Sequence, residues 1–165
     1  MRKRGSPEQG FSLIELMLAI VVLAILLGIA WPNYQTYVQK SKRVELQAHL
    51  MSLSQQLASY RLVNQSFAGA TLPSLSVAAQ FPSTGTPDYQ LQLTDLTGRL
   101  LTEVDSQTQT WLLVATPALT SRQHGTGKIT LNHREEKCWY TDQDDAVVSA
   151  TDAEHLTPCP ATWQH

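Results

Sequence analysis

The sequence predicts an α+β fold in which one long N-terminal helix packs on an antiparallel sheet of about four strands. Three observations support this prediction. An apolar stretch lies near the N-terminus, an amphipathic helical pattern follows it, and short alternating segments separated by turn residues fill the second half. The chain of 165 residues has room for one domain with an appendage.

The first element is the apolar stretch. The 21 residues from Phe11 to Trp31 contain one charged side chain, that of Glu15. A helix of this length is roughly 30 Å long, which matches the hydrocarbon core of a bilayer. Residues 2–4 are all basic, which favours a cytoplasmic N-terminus. The sequence therefore predicts a single membrane span with the rest of the chain on the opposite side.

Glu15 decides between the interpretations of this stretch. A plain signal-anchor and a secretory signal cleaved at the small-x-small sequence 28–30 both leave the acid without a role. An acid at mid-bilayer costs about 2.5–3.5 kcal/mol, and less near an interface. A cut after Gly10 would expose the α-amino group of Phe11 one helical turn from Glu15, and such a group is a suitable cation for this carboxylate.

The stretch "GFSLIELMLAIVVLAILLGIA" resembles the N-terminal signature of type IV pilins and related filament subunits. The resemblance implies that a prepilin peptidase cleaves between Gly10 and Phe11 and that Phe11 is then N-methylated. It also implies that Glu15 pairs with the terminal amine of a neighbouring subunit during assembly. Pro32 falls where pilins commonly carry a helix-bending proline.

The pilin resemblance implies a structural role. The chain would be a subunit, more specifically a minor one, of a type IV pilus that supports motility, adhesion or DNA uptake. It would lie in the bacterial inner membrane with a periplasmic domain and then move into the extracellular filament. Its partners would be other pilins, the peptidase and the assembly machinery. Three alternatives remain open: a type II secretion pseudopilin, a filament-borne module binding DNA or a host surface, and a monomeric anchored domain.

An amphipathic helix is predicted to continue the apolar one. Apolar side chains recur at helical spacing after residue 45, while polar residues such as Gln47 and Ser54 occupy other positions. His49 lies among these polar positions and is expected to be exposed. The apolar positions are Leu46, Leu50, Leu53, Leu57 and Tyr60. The predicted segments are thus a leader at 1–10, a membrane helix at 11–32, an amphipathic helix at 33–63 and a connecting loop at 64–88.

The remaining residues, 89–165, are predicted to form the sheet and a Cys-bounded loop. Alternating or β-branched segments predict strands, with turn residues between them. The predicted strands are Tyr89–Leu93, Thr110–Pro117, Gly127–Asn132 and Lys137–Thr141. They need an apolar helix face to cover them, and residues 33–63 supply one.

Cys138 and Cys159 are the two cysteines of the chain. In an exported protein they are expected to form one disulfide, and two buried free thiols are the alternative. The resemblance places a subunit-specific surface in the segment between them. Residues 135–154 hold seven acidic side chains against one lysine, which predicts an anionic rim.

The composition argues against catalysis and against tight DNA binding. The five histidines match no metal-binding or catalytic spacing, and no glycine-rich phosphate loop follows a strand. We therefore expect no enzyme activity, no cofactor and no bound metal. The formal net charge is −2, and residues 33–165 hold 9 basic and 12 acidic side chains. A protein that binds DNA tightly needs a basic patch, so at most weak, salt-sensitive binding is expected.

Overall fold

The computed structural model describes residues 11–148, 150–152, 155–156 and 159–163. The predicted leader, with Gly10, lies outside these residues. The chain divides into two compact units, residues 1–38 and 39–165, which are described separately. One helix, α1 (Leu13–Asn64), runs through both and is 52 residues long. The expected helical segments, 11–32 and 33–63, together end within two residues of the bounds of this helix.

In the first unit, α1 is an apolar helix without protein around it. All side chains from Phe11 to Tyr34 are exposed, and this part of α1 is long and apolar enough to cross a membrane. Pro32 lies inside α1 and does not end it. Close to Pro32 a side chain bonds to the backbone of the helix, where Thr36 Oγ1 donates to the Pro32 carbonyl at 3.3 Å.

In the second unit, five strands form one antiparallel sheet in sequential order. They are β1 (Gln80–Phe81), β2 (Tyr89–Thr94), β3 (Leu112–Pro117), β4 (Gly127–Asn132) and β5 (Lys137–Thr141). A separate pair, β6 (Ala150–Asp152) and β7 (His155–Leu156), lies in the Cys-bounded segment. The four predicted strands are present, although β3 starts two residues later than expected.

The sequence did not reveal β1. This strand has two residues and lies directly before Pro82, inside the stretch predicted to be loop. Two residues are too few for an alternating pattern to be visible. The same stretch also contains a single 3-10 turn, Pro73–Leu75.

The hydrophobic core lies between one face of α1 and one face of the sheet. Leu46, Leu50, Leu53 and Leu57 are all 0% exposed, which confirms the predicted apolar face of the helix. Burying each such leucine contributes about 1.5–3 kcal/mol. The sheet opposes them with alternating residues of its inner face, namely Leu91, Leu93, Leu113, Ala115, Ile129 and Leu131.

Three polar positions of α1 differ from the expectation. Gln47 and Ser54 lie beside the apolar face and are buried, and Ser54 Oγ donates to the Met51 carbonyl at 2.8 Å. His49 was expected to be exposed but is half-buried, with its ring 4.9 Å from that of Phe81. Burial lowers the pKa of His49. The sheet covers a wider sector of the helix than the leucines alone indicated.

A buried glutamine joins α1 to the loop between β3 and β4. Gln123 is 1% exposed, and its Nε2 donates to the Gln39 carbonyl at 3.1 Å. Its Oε1 accepts a hydrogen bond from the Tyr89 hydroxyl at 3.0 Å. Burial raises the pKa of Tyr89 to about 12, so this hydroxyl remains a donor at neutral pH. These bonds tie α1 at Gln39 to the loop between β3 and β4.

Candidate functional site

The N-terminal turn of α1 carries the predicted assembly residues. Phe11 lies just before the helix and is 83% exposed, and the exposed Glu15 lies in the first turn. The Glu15 amide donates to the Ser12 carbonyl at 3.1 Å. Phe11 and Glu15 line the same shallow depression, so they share one side of this end of the chain. Gly10, the other half of the predicted cleavage site, lies outside the described residues.

The surroundings of Glu15 are apolar. The sequence has no lysine or arginine between Phe11 and Gln39, so this segment offers the carboxylate no side-chain cation. Exposed large apolar side chains surround it on every side of the helix. Such a helix requires lipid or other helices around it. The Glu15 carboxylate therefore needs a cation from outside this segment, and a free N-terminal amine is such a cation.

The Cys138–Cys159 disulfide is present, so the free-thiol alternative is wrong. It joins β5 to the C-terminal residues. Next to it, the Trp139 amide donates to the Ala161 carbonyl at 2.7 Å. Trp163 Nε1 donates to the Cys138 carbonyl at 3.1 Å. Together these contacts place residues 159–163 along the outer edge of β5. There they pair with backbone groups that the edge of a sheet would otherwise leave unpaired.

The acidic segment has both a surface and a structural role. Asp142 and Asp145 are exposed, as an anionic rim requires. Asp144 instead turns toward the chain, where it accepts the amides of Gly125 at 2.6 Å and Gly127 at 2.8 Å. The part of the chain that the structure describes contains no group of three or more His, Cys, Asp or Glu side chains able to hold a metal ion.

The three tryptophans of the second unit, Trp111, Trp139 and Trp163, pack rather than form an open platform. Trp111 is 4% exposed, and Trp139 and Trp163 are partly buried against the core. The Arg43 guanidinium lies 3.9 Å from the centroid of the Trp139 ring. Trp139 Nε1 donates to the Thr126 carbonyl at 2.8 Å. Trp111, Trp139 and Trp163 therefore act as packing residues.

A cleft of about 380 Å³ lies where α1 ends, and we call it the Arg61 cleft. It is lined by Ser54, Ala58, Arg61, Leu62, Gln65, Phe67, Trp111, His133 and Glu135. The sequence did not reveal it. Its members come from α1, the following loop, the start of β3 and the turn between β4 and β5. No local pattern links residues so far apart in the chain.

His133 forms part of the wall of the Arg61 cleft. Burial lowers its pKa, the charges of Arg134 and Arg61 lower it further, and Glu136 opposes them. The imidazole is therefore neutral at pH 7. The cleft is left with one cation, Arg61, and one anion, Glu135, among its lining residues.

Comparisons with known proteins agree with this architecture. The chain matches the family described as "Type IV minor pilin ComP, DNA uptake sequence receptor" over residues 32–130. It also matches the "Prokaryotic N-terminal methylation motif" over residues 5–31. No solved structure matches.

Several curated proteins resemble part of the chain. A "Type IV major alpha-pilin" of Moraxella bovis is 44% identical over 45 residues, 27% of this chain and 28% of that protein. "Fimbrial protein EcpC" of Eikenella corrodens is 50% identical over 38 residues, 23% of this chain and 25% of that protein. "Type II secretion system core protein G" of Pectobacterium carotovorum subsp. carotovorum is 32% identical over 63 residues, 38% of this chain and 40% of that protein.

The matched segments thus span between a quarter and two fifths of these three relatives. The family match is longer and extends over residues 32–130. That match covers more than half of the chain and includes most of α1 beyond the apolar stretch, together with β1 to β4. With its long helix, antiparallel sheet and late disulfide, the chain belongs to the type IV minor pilin family.

Proposed function

We propose that this chain is a structural, minor subunit of a type IV pilus. One combination of features carries the proposal. The chain has an exposed apolar helix with Glu15 at its start, and its folded domain matches minor pilins. The helix holds the precursor in the inner membrane, with the domain in the periplasm. It then packs among the helices of other pilins in the extracellular filament. The polymer replaces lipid as the apolar surroundings.

In this proposal, prepilin peptidase removes residues 1–10 and Phe11 becomes the N-methylated first residue. The Glu15 carboxylate then pairs with the amine of a neighbouring subunit, helped by the membrane assembly machinery. Pro32 bends α1 between the spanning segment 11–32 and the amphipathic segment 33–63. The loop 64–88 and residues 89–165 complete the exposed part of the subunit. The pair is expected to set the register of subunits more than to strengthen the filament, because desolvation offsets much of its attraction.

The test is the intact mass and first residue of the protein recovered from membranes and from sheared surface material. We expect both fractions to begin at N-methylated Phe11. A protein that still begins at Met1, or that begins at Trp31 after the small-x-small site, would contradict the proposed processing. Replacing Gly10 with alanine or a bulkier residue should leave the uncleaved precursor in the membrane fraction.

Replacing Glu15 with alanine should leave processing and the folded domain intact but strongly reduce incorporation into filaments. The carboxylate is the only charged group of residues 11–31, so no other side chain there can meet the neighbouring amine. Immunoblots of sheared pili, compared with the membrane fraction, measure incorporation. Glu45→Ala is the matched control, because Glu45 is an exposed acid on the same helix and pairs with Lys42. Normal incorporation of the Glu15 variant would overturn the pairing argument.

A pseudopilin of a type II secretion system is the alternative assembly. The likeness to a secretion core protein supports it, since that match covers 63 residues. The minor pilin match supports the pilus instead, because it includes four strands of the sheet. Deleting the gene and scoring surface pili and secreted proteins separates the two, with loss of pili as the result we expect. The pilin family is structural, and we propose that this member likewise has no enzyme activity.

DNA is the second candidate partner, because the family description names a DNA uptake sequence receptor. The charge of this chain opposes tight binding. Residues 33–165 hold 12 acidic and 9 basic side chains, a net charge of −3 (9 minus 12). At the end of the domain that holds the Arg61 cleft, Glu135 accompanies Arg61 and Asp105 pairs with Arg99. Few phosphates can therefore be neutralised at once.

We expect the full chain in detergent to bind duplex DNA no more tightly than a non-specific protein, with Kd about 10⁻⁴–10⁻⁶ M at physiological salt. Fluorescence anisotropy across a range of salt concentrations measures this, and the slope should correspond to about two phosphate contacts or fewer. A Kd on the order of 10⁻⁸ M for any one sequence would show specific binding. That result would overturn the expectation of weak binding and would add DNA recognition to the subunit's role.

A further inference from the structure

The Arg61 cleft contains two opposite charges that do not pair with each other or with other described residues. Arg61 donates through Nη2 to Gln109 Oε1 at 3.3 Å, and its guanidinium lies 5.5 Å from the centroid of the Phe67 ring. The ion pairs formed by described residues involve neither Arg61 nor Glu135. A guanidinium has five N–H donors, so Arg61 retains donors for a carboxylate.

His133 fixes the wall of the cleft. Its Nδ1 is inaccessible to solvent and finds no hydrogen-bond partner among the described residues. The backbone amide of His133 donates to the Trp111 carbonyl at 3.1 Å. This bond ties the turn that carries His133 and Glu135 to the residue just before β3.

The floor of the cleft is apolar. Phe67 is 3% exposed and Trp111 is 4% exposed, so their rings are fixed by the core. Leu62, at the rim, is 80% exposed although it is a large aliphatic residue. The volume of about 380 Å³ is at the lower end of the range for ligand sites, which is about 300–1,000 Å³. The size suits a compound of one amino acid rather than a long polymer segment.

We propose that the Arg61 cleft binds a zwitterionic amino acid with an apolar side chain. Arg61 pairs with the α-carboxylate and Glu135 with the α-ammonium group. The apolar side chain of the ligand packs on the exposed Leu62 above the floor formed by Phe67. A zwitterion matches this site because the cleft has one cation and one anion among its lining residues. Glu135 would repel a ligand that carries only negative charge, and Arg61 would repel a ligand that carries only positive charge. This proposal does not depend on the pilus function.

The test is titration of the ¹⁵N-labelled full chain in detergent micelles with L-leucine, followed by ¹H–¹⁵N NMR. We expect a Kd on the order of 1 mM, since so small a ligand has few atoms to contribute. Resonances of Phe67, Trp111 and His133 should shift, while those of Trp163, near the disulfide, should not. N-acetyl-leucine lacks the ammonium group and leucinamide lacks the carboxylate. Each should bind about tenfold or more weakly.

Two substitutions test the assigned contacts. Arg61→Gln and Glu135→Gln should each weaken leucine binding about tenfold, because each removes a charge-assisted hydrogen bond. Arg99→Gln is the matched control, since Arg99 is an exposed arginine outside the cleft, and its binding should be unchanged. Unchanged dispersion of the NMR spectrum checks that each variant is folded. Equal binding of leucine and N-acetyl-leucine, or no saturable shifts at Trp111, would overturn the proposal.

Discussion

Gly127→Ala is expected to destabilise the domain by at least about 3 kcal/mol, a large part of the stability of an ordinary domain. Gly127 opens β4 with φ of +93°, a conformation that L side chains rarely adopt. A Cβ atom at this position would also collide with the Tyr140 carbonyl in the neighbouring strand β5. Relieving the collision requires moving one strand of the sheet.

The measurement is thermal or denaturant unfolding of the full chain in detergent, followed by near-UV circular dichroism of the tryptophans. Gly125→Ala separates backbone strain from the collision. Gly125 has a similar φ of +82°, but a Cβ atom there would meet nothing within 4 Å. It should therefore cost only the left-handed strain, about 1–2 kcal/mol. Equal effects of the two substitutions would contradict the steric argument.

Asp95→Asn is the second substitution expected to have a large effect. Asp95 follows β2, is 0% exposed and organises the loop that leads to β3. Its Oδ1 accepts the amides of Thr97 and Arg99 and the Thr97 hydroxyl, at 2.7–2.9 Å. Its Oδ2 accepts the Gln107 amide at 2.8 Å. An asparagine would place an NH₂ group against one of these donors, at a cost of about 1.5–3 kcal/mol.

The effect of this substitution should depend on pH. Burial alone would raise the pKa of Asp95, but bonds from Gln107, Thr97 and Arg99 outweigh burial and lower the pKa below its usual value. A lowered pKa means that the carboxylate stabilises the fold above its unfolded-state pKa of about 3.9, and that this stability is lost as the pH falls through the folded-state value. Wild type should therefore lose more stability than Asp95→Asn between about pH 5 and pH 2.

Unfolding by denaturant at several pH values measures this difference. Asp105→Asn is the control, since Asp105 is an exposed acid of the same loop, 3.9 Å from Arg99 Nη1. Exposed ion pairs contribute about 0–1 kcal/mol, so this variant should resemble wild type throughout. If the wild type and Asp95→Asn lose stability in parallel on acidification, the ionised carboxylate is not what holds the loop.

Local periodicity made much of the fold predictable. Five apolar side chains at helical spacing identified the buried face of α1, and alternation identified four strands, because both patterns repeat within one element. The N-terminal helix was equally clear, since length and apolarity suffice to define a possible membrane span. The burial of Gln47 and His49 was not predicted, because it depends on how far the sheet extends around the helix.

The sequence by itself determined the main elements of the protein. These are an apolar helix with one acid, an amphipathic helix whose apolar face covers a sheet, the sheet itself and a cysteine pair. The tertiary structure alone revealed the Asp95 loop, the Gln123 contacts and the Arg61 cleft. The physical reason is the distance along the chain between the groups that meet. Gln123 bonds across 84 residues to Gln39, and Arg61 reaches the wall formed by His133 only when α1 packs on the sheet. Such contacts leave no periodic trace in the sequence, so only the folded chain brings them together.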